Sequence, residues 1–316
     1  MHYLGLDTSN YVTSVAIVKK DPGQEPFLLQ ESRMPLKVIK GGKGLRQSEA
    51  LFQHVQNMPL LWEEIFTNAA SIKIICVAAS VRPRPVEGSY MPVFNVGESF
   101  GRSTASLLNI PFIGVSHQEN HVEAGCWSSR CEVPHFLALH LSGGTTELME
   151  VVRSQGKDMQ IQLLGGTSDL NAGQFVDRVG VKLGLSFPAG GEMERIAASS
   201  SKGGLKVPVS VSGYDISFSG PATFVERALV EGASHAEAAR GVEVCIAHSL
   251  IEVLRKAAFD KGLVDVLVVG GIAANAFIRR RLQEGVPALN FYFPSPELAG
   301  DNAVGTALLA SYHHEV

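Results

Sequence analysis

Cysteine is scarce: Cys76, Cys126, Cys131 and Cys245 are the only four in 316 residues, with no CxxC spacing. They lack the density of a disulfide framework, and the four are read as reduced thiols. Long apolar runs are missing too. Stretches such as Ile72–Ala79 and Val264–Ile272 fall far short of the ~20 residues that cross a bilayer. Residues 1–9 carry no basic leader and meet an acid at Asp7, so no secretory signal is expected and the chain is placed in the cytoplasm, with no membrane partner. Charge is sparse, at 18% of residues, and 27 basic against 31 acidic side chains leave a net −4. Any nucleic acid must then be held by a local basic face or by partner subunits. Neither GxGxxG nor GxxxxGK[ST] occurs, which argues against a Rossmann dinucleotide site and a P-loop.

What is present is apolar residues, 45% of the chain, and 32 glycines clustered beside apolar runs. That supports a large core with backbone loops able to approach a ligand closely. Tyr3–Leu6 and Thr13–Val18 read as a hairpin around the polar turn Asp7–Asn10. The same design returns at His135–Leu141, Ser142-Gly-Gly-Thr-Thr146 and Glu147–Val152, which suggests an internal duplication. Apolar periodicity predicts helices over Leu45–Phe66 (face Leu51, Val55, Met58, Leu61, Ile65), Gly97–Leu108 and Ala236–Lys261. Val264–Val269 reads as a buried strand leading through Gly270-Gly271 into a helix near Asn275–Leu282, and Ser199–Gly204 as an exposed loop. Strands alternating with helices give an α/β fold class.

Four groups of residues carry chemistry. The paired turns offer backbone N–H groups and hydroxyls to phosphate oxygens, and two facing turns could grip a nucleotide between them. Val268–Asn275, a strand, two glycines and a helix start, would let a base or sugar lie against backbone. His117 and His121, four apart, would lie on one face of a helix and could share a metal, although such a pair by itself is more often incidental. Gln118 stands where a zincin needs Glu, so the metalloprotease reading fails, and Glu119 points elsewhere. Asp301, in a glycine-bearing loop before a helix, is the candidate third ligand. Polar density at Thr167–Asp177 and Tyr214–Gly220 completes the set. Asp177, at the start of a helix-like stretch, is either a surface carboxylate or a ribose or phosphate contact, and Glu194 after Pro188–Gly191 is open in the same way.

Taken in order, these motifs resemble the TsaD/Gcp/Kae family, the ATP-dependent tRNA threonylcarbamoyladenosine synthases once labelled O-sialoglycoprotein endopeptidases. The matching segments are Leu4-Gly-Leu-Asp-Thr-Ser9, Gly101-Arg-Ser103, His117-x3-His121, Ser142-Gly-Gly-x-Thr146, Ala172-Gly173 with Asp177, Leu183-Gly-Leu185, Pro188 with Gly190, Asp215-x-Ser-Phe-Ser-Gly220, Gly270-Gly-x-x-Ala-Asn275 and Asp301-Asn302. The resemblance implies duplicated actin/sugar-kinase/Hsp70-like (ASKHA) domains around a nucleotide cleft, taken as 1–124 plus 300–316 and 125–299. It implies one divalent metal, iron or zinc, on His117, His121 and Asp301. ATP or an adenylate would be held by Ser142, Gly143, Gly144, Asp177, Gly190, Glu194 and Asn275. The implied activity is transfer of threonylcarbamoyl from threonylcarbamoyl-AMP to adenosine in tRNA, together with partner proteins of that pathway.

The chain departs from the family pattern at Asn10, Tyr11 and Val12, where Cys and two acids are usual, and at Arg82–Tyr90, which replaces Gly-Pro-Gly-Leu. Ser116 stands where the family has a first His of a pair, and Thr145 replaces a Gly, His or Asn. These changes keep a second reading open, a non-catalytic nucleotide-binding paralogue serving as scaffold or regulator. A small-molecule kinase is a weaker third, because it has no use for the His117, His121 and Asp301 set. The densest basic cluster, Lys37, Lys40, Lys43 and Arg46, predicts weak binding of tRNA by the chain alone.

Overall fold

A computed structural model describes residues 1–9, 11–38, 45–67, 72–154, 158–200 and 203–313. Asn10, Lys40, Lys43, residues 201 and 202 of the Ser199–Gly204 loop, and His314 lie outside the described residues. The first hairpin forms from β1 (His2–Asp7) and β2 (Val12–Lys19), antiparallel with Tyr3 opposite Val18. β3 (Phe27–Pro35), α1 (Gln47–Thr67), β4 (Ile74–Arg82), α2 (Phe94–Leu108), β5 (Phe112–Ser116) and α3 (His117–Ser129) follow. β4 and β5 join in parallel, giving the five-stranded order β3-β2-β1-β4-β5.

The second sheet repeats the scheme. β6 (His135–Leu141), β7 (Thr146–Ser154) and β8 (Asp158–Gly166) form an antiparallel meander. α4 (Ala172–Lys182), α5 (Gly190–Ala198), the two-residue strands β9 (Val211–Ser212) and β10 (Asp215–Ile216), α6 (Ser219–Val230) and α7 (His235–Lys261) come next. β11 (Asp265–Val269), α8 (Ala276–Gly285) and β12 (Asn290–Tyr292) complete the order β12-β11-β6-β7-β8, with β11 parallel to β6. The short α9 (Pro296–Ala299) and α10 (Val304–His313) then return the chain to the first sheet. Two sheets of the same order and direction are what the repeated hairpin predicted.

Period-2 alternation explains how each sheet buries both faces. In β1, Leu4 and Leu6 pack with Val15, Ile17, Met58 and Leu61, whereas Tyr3 and the alternate β2 residues Ala16 and Val18 join the clusters that contain α10. In β6, Leu137, Leu139 and Leu141 enter the main core with α4 to α8. Phe136 and Ala138 point the other way, onto Val122 and Cys126 of α3. α3 packs against α10, β4 and β5 on one side and β6 and β11 on the other. It is the helix between the sheets.

Two helices differ from the periodic reading. α1 buries Ala50, His54, Met58, Leu61 and Ile65, while Val55 is 42% exposed. His54 takes the interior slot in place of Val55, its Nδ1 pairing with Thr13 Oγ1 at 2.8 Å, while Met58, Leu61 and Ile65 keep the expected face. α2 starts at Phe94 rather than Gly97, since Phe94 and Val96 are themselves core residues. The four cysteines are free and buried.

Candidate metal centre and nucleotide cleft

Ser116 starts α3 with a capping box: its Oγ accepts the Glu119 N–H at 3.2 Å, and Glu119 Oε2 accepts the Ser116 N–H at 2.7 Å. Glu119 is thus spent on the cap. One turn apart, His117 and His121 place their ring centroids 4.4 Å apart and nearly perpendicular. Asp301, in the loop between α9 and α10, brings Oδ1 to 3.2 Å from His121 Nε2 and 3.7 Å from His117 Nε2. The meeting depends on close packing of α10 on α3. Asn120 Nδ2 donates to Asn302 O at 2.6 Å and Asn120 Oδ1 accepts the Thr306 N–H at 2.9 Å.

Two further residues belong to this centre and escaped the motif reading. Asp7 Oδ1 lies 3.2 Å from His117 Nδ1, which leaves Nε2 on the Asp301 side. This is the carboxylate–imidazole arrangement that orients metal-binding histidines. His140 comes from β6, on the face that Phe136 and Ala138 turn toward α3. Its ring stands 4.4 Å from that of His121, and one nitrogen from each of His117, His121 and His140 lies within 4.8 Å of the others. The signal was present: His140 interrupts the apolar run Phe136–Leu141 directly before the Ser142 turn.

The electrostatics suit a cation. His140 Nδ1, His140 Nε2 and His121 Nδ1 are buried without a hydrogen-bond partner. Each such group ordinarily costs about 1–3 kcal/mol, so His140, with neither ring nitrogen satisfied, asks for a ligand. Burial, then the neighbouring His121 and His117, holds His140 well below the usual histidine range. Burial and His117 also lower His121. Burial works downward on His117 as well, but Asp7, Asp301 and Glu147 outweigh it and raise it. Burial raises Asp7, yet the His117 charge and hydrogen bonds from His117, Ser80 and Ser9 bring it down to about 2. Two neutral imidazoles, a third oriented by a carboxylate, and Asp301 form a donor set that fits a divalent transition metal.

Beside this centre lies a cavity of about 370 Å³, lined by Ser9 from the first turn and Gly144 and Thr145 from the second, with His117 and His140. The two turns therefore face one space. A second cavity, of about 440 Å³, runs between Tyr11, Val12 and Leu36 beside the first sheet and Gly143, Gly173, Asp177, Gly190 and Gly271 of the turns and helices beside the second. Tyr11 meets Phe187 edge-on across it, centroids 5.3 Å apart. The second turn is set by Ser142 N–H donating to Thr145 O at 2.8 Å and Gly144 N–H to Ser142 Oγ at 3.2 Å. Gly270, at φ +96°, lets the chain leave β11 against Leu141, whose carbonyl oxygen would lie 2.2 Å from any Cβ there.

Not every expected nucleotide residue lines the cleft. Asp177 does, but it sits in the middle of α4 rather than at its start, since Asn171 is the N-cap and its apolar neighbours Phe175, Val176 and Val179 continue the helix. Its Oδ1 accepts the Ala189 N–H at 2.7 Å, and burial pushes its pKa up. Ser142, Glu194 and Asn275 are not among the lining residues. Glu194 Oε1 accepts the Ala276 N–H at 2.8 Å. Asn275 Oδ1 caps Ile278 N–H at 2.8 Å while its Nδ2 donates to Glu243 Oε1 at 2.7 Å. Both fix the start of α8 behind the Gly270-Gly271 turn. Asp169 ties Ser217, Phe218 and Ser219 together through its two oxygens.

Comparison with known proteins gives a consistent answer. The family profile described as TsaD, tRNA N6-adenosine threonylcarbamoyltransferase, matches residues 36–308. A protein of that name from Thermus thermophilus is 36% identical over 321 residues, covering 100% of this chain and 94% of the relative. One from Prochlorococcus marinus is 32% identical, covering 97% and 89%. Among solved structures, HypF from T. kodakarensis aligns over 98% of this chain and 48% of its own, with a TM-score of 0.60 and 16% identity. The ADPNP-bound activator of 2-hydroxyisocaproyl-CoA dehydratase from Clostridium difficile aligns over 98% and 94%, with a TM-score of 0.55 and 16% identity. At those identities the structures speak for the fold, the duplicated ASKHA architecture.

Proposed function

This chain belongs to the tRNA N6-adenosine threonylcarbamoyltransferase family, a nucleotide-binding transferase family and not a protease, and from that premise we propose how its own residues serve the reaction. The transferred group is threonylcarbamoyl, taken from threonylcarbamoyl-AMP and delivered to N6 of an adenosine in tRNA. The observation that carries this reading is the placement of the buried His117, His121 and His140, with Asp301 beside them, against a cavity lined by both hairpin turns.

His117, His121, His140 and Asp301 would hold one divalent ion, and an imidazole-rich set favours iron or zinc over magnesium or calcium. Lewis-acid polarisation of the attacked carbonyl is the chemistry such an ion supplies when bound. Asp7 keeps Nε2 of His117 turned toward the ion's place. Gly143 and Gly144 present backbone to phosphate, Ser142 shapes their turn, and Asp177 and Gly190 line the nucleoside end. Glu194 and Asn275 act on that end by fixing the start of α8. We take residues 1–124 with 300–316 as one unit and 125–299 as the other, so that α10 carries Asp301 back to α3. Among the described residues no helix is long and apolar enough to cross a membrane. The cytoplasm is the compartment that a tRNA acceptor implies, and partner proteins of the pathway would supply the basic surface that a chain of net charge −4 lacks.

The test is nucleoside mass spectrometry of tRNA incubated with threonylcarbamoyl-AMP, this protein and candidate partners. Threonylcarbamoyladenosine should form, and His117→Ala should abolish it. Absence of the modified nucleoside under every metal and partner combination would overturn the reading.

A further inference from the structure

The metal-side cavity contains a charge arrangement that the family reading leaves unused. Arg84, in the loop between β4 and α2, reaches across to β7, where its Nη2 pairs with Glu147 Oε1. Glu147 Oε2 accepts from Gln118 Nε2. The carboxylate is buried, with its side chain 8% exposed, whereas the Arg84 side chain is 49% exposed and faces the cavity. The loop is pinned: the Arg84 N–H donates to Ser89 Oγ at 3.0 Å, and Pro83 O accepts the Gln118 N–H at 3.1 Å. A guanidinium has five N–H donors, of which this contact with Glu147 uses one. Among the described residues no other lysine or arginine lines the cavity.

We propose that Arg84 recognises the carboxylate of the acyl substrate in this cavity, with Glu147 as the counter-ion it shares or releases. This rests on the proposed function, because threonylcarbamoyl is an acyl group that keeps a free carboxylate. A planar fork of donors suits a carboxylate bidentately, and the pinned loop spares it ordering cost on binding. The opposing explanation, a tie between the two sheets, makes a different prediction. For a tie, losing either partner is harmful. For recognition, removing the Glu147 charge frees the guanidinium.

The probes are N-carbamoyl-L-threonine and its carboxamide, titrated calorimetrically into the metal-loaded full chain. The acid should bind at least tenfold more tightly than the amide. Arg84→Gln should erase that preference, Arg84→Lys should keep part of it, and Glu147→Gln should tighten the acid severalfold, with melting temperature and metal content checked in each variant. Equal binding of acid and amide, no binding of the acid at millimolar concentration, or weaker binding of the acid to both Arg84→Gln and Glu147→Gln would overturn the proposal. Wild-type modification of tRNA, assayed in parallel, separates the two claims. Product without an acid preference removes the role of Arg84 and leaves the family reaction, whereas an acid preference without product keeps Arg84 as a carboxylate receptor and removes the reaction.

Discussion

Gly305→Ala is the substitution that most sharply links packing to the metal centre. Gly305 lies in the first turn of α10, and a Cβ there would sit 1.9 Å from Asn120 O and 2.6 Å from Asn120 Oδ1. Relief to ordinary van der Waals separation needs a retreat of about 1.5 Å between α10 and α3, because dispersion contacts turn repulsive well before that overlap. Overpacking of this kind costs about 1–3 kcal/mol. The same retreat acts on the site. Asn120 sits between His117 and His121 in sequence, and Asp301 stands four residues before Gly305. Ligand distances tolerate only about ±0.2 Å, so the affinity for a divalent ion should fall at least tenfold. Gly300→Ala is the matched control, since a Cβ at Gly300 meets open space one residue from Asp301. Urea unfolding and equilibrium dialysis with zinc read both effects. A Gly305→Ala protein with wild-type unfolding midpoint and wild-type zinc affinity would refute the reasoning, as would equal damage from Gly300→Ala.

His54 gives a pH signature away from the metal ligands. Burial, opposed by Asp7 and Asp301, lowers its pKa to about 4, so between about pH 6.5 and 4 the unfolded chain binds the extra proton. Its contribution is full above pH 6.5 and fades as pH falls through that window, by about 3 kcal/mol at most. His54→Leu should flatten the difference between urea midpoints at pH 7.5 and 5, and an unchanged difference counts against the assignment. Phe175, fully buried and stacked on Phe218 with centroids 5.5 Å apart, should cost about 3–5 kcal/mol when cut to Ala, read by the same unfolding curves. Filter binding of tRNA to the isolated chain should be weak and lost with added salt; tight, salt-insensitive binding contradicts the charge argument.

How much of this was legible in the sequence depends on whether the information was local. The hairpins, α7 and the strand before Gly270 announced themselves through turn chemistry and periodicity, which neighbouring residues settle among themselves. His117 and His121 were readable because one helix turn places them together, and Asp301 because it is a carboxylate in a glycine-bearing loop before a helix, a place the family motif shares. His140 was missed because its relation to His121 depends on which face of β6 meets α3, a tertiary fact, although a lone polar residue in an apolar strand was the clue. Asp7 read as a turn residue for the same reason. Glu194 and Asn275 stood beside a glycine turn in sequence, and only the fold shows their polar atoms spent on α8. On α1, a pattern that counted Val55 as core gave way to the Thr13 hydroxyl that draws His54 inward.

One ion bound between the two sheets is the central claim, and anomalous diffraction from crystals grown with zinc and ADP tests it most directly. Data on either side of the zinc absorption edge should show a single strong peak about 2.0–2.2 Å from nitrogen atoms of His117, His121 and His140 and an oxygen of Asp301. Density for the nucleotide should lie against Gly143 and Asp177. A peak that leaves His140 uncoordinated would remove the fourth ligand, and no peak at the histidines, with the nucleotide bound or absent, would contradict the metal centre altogether.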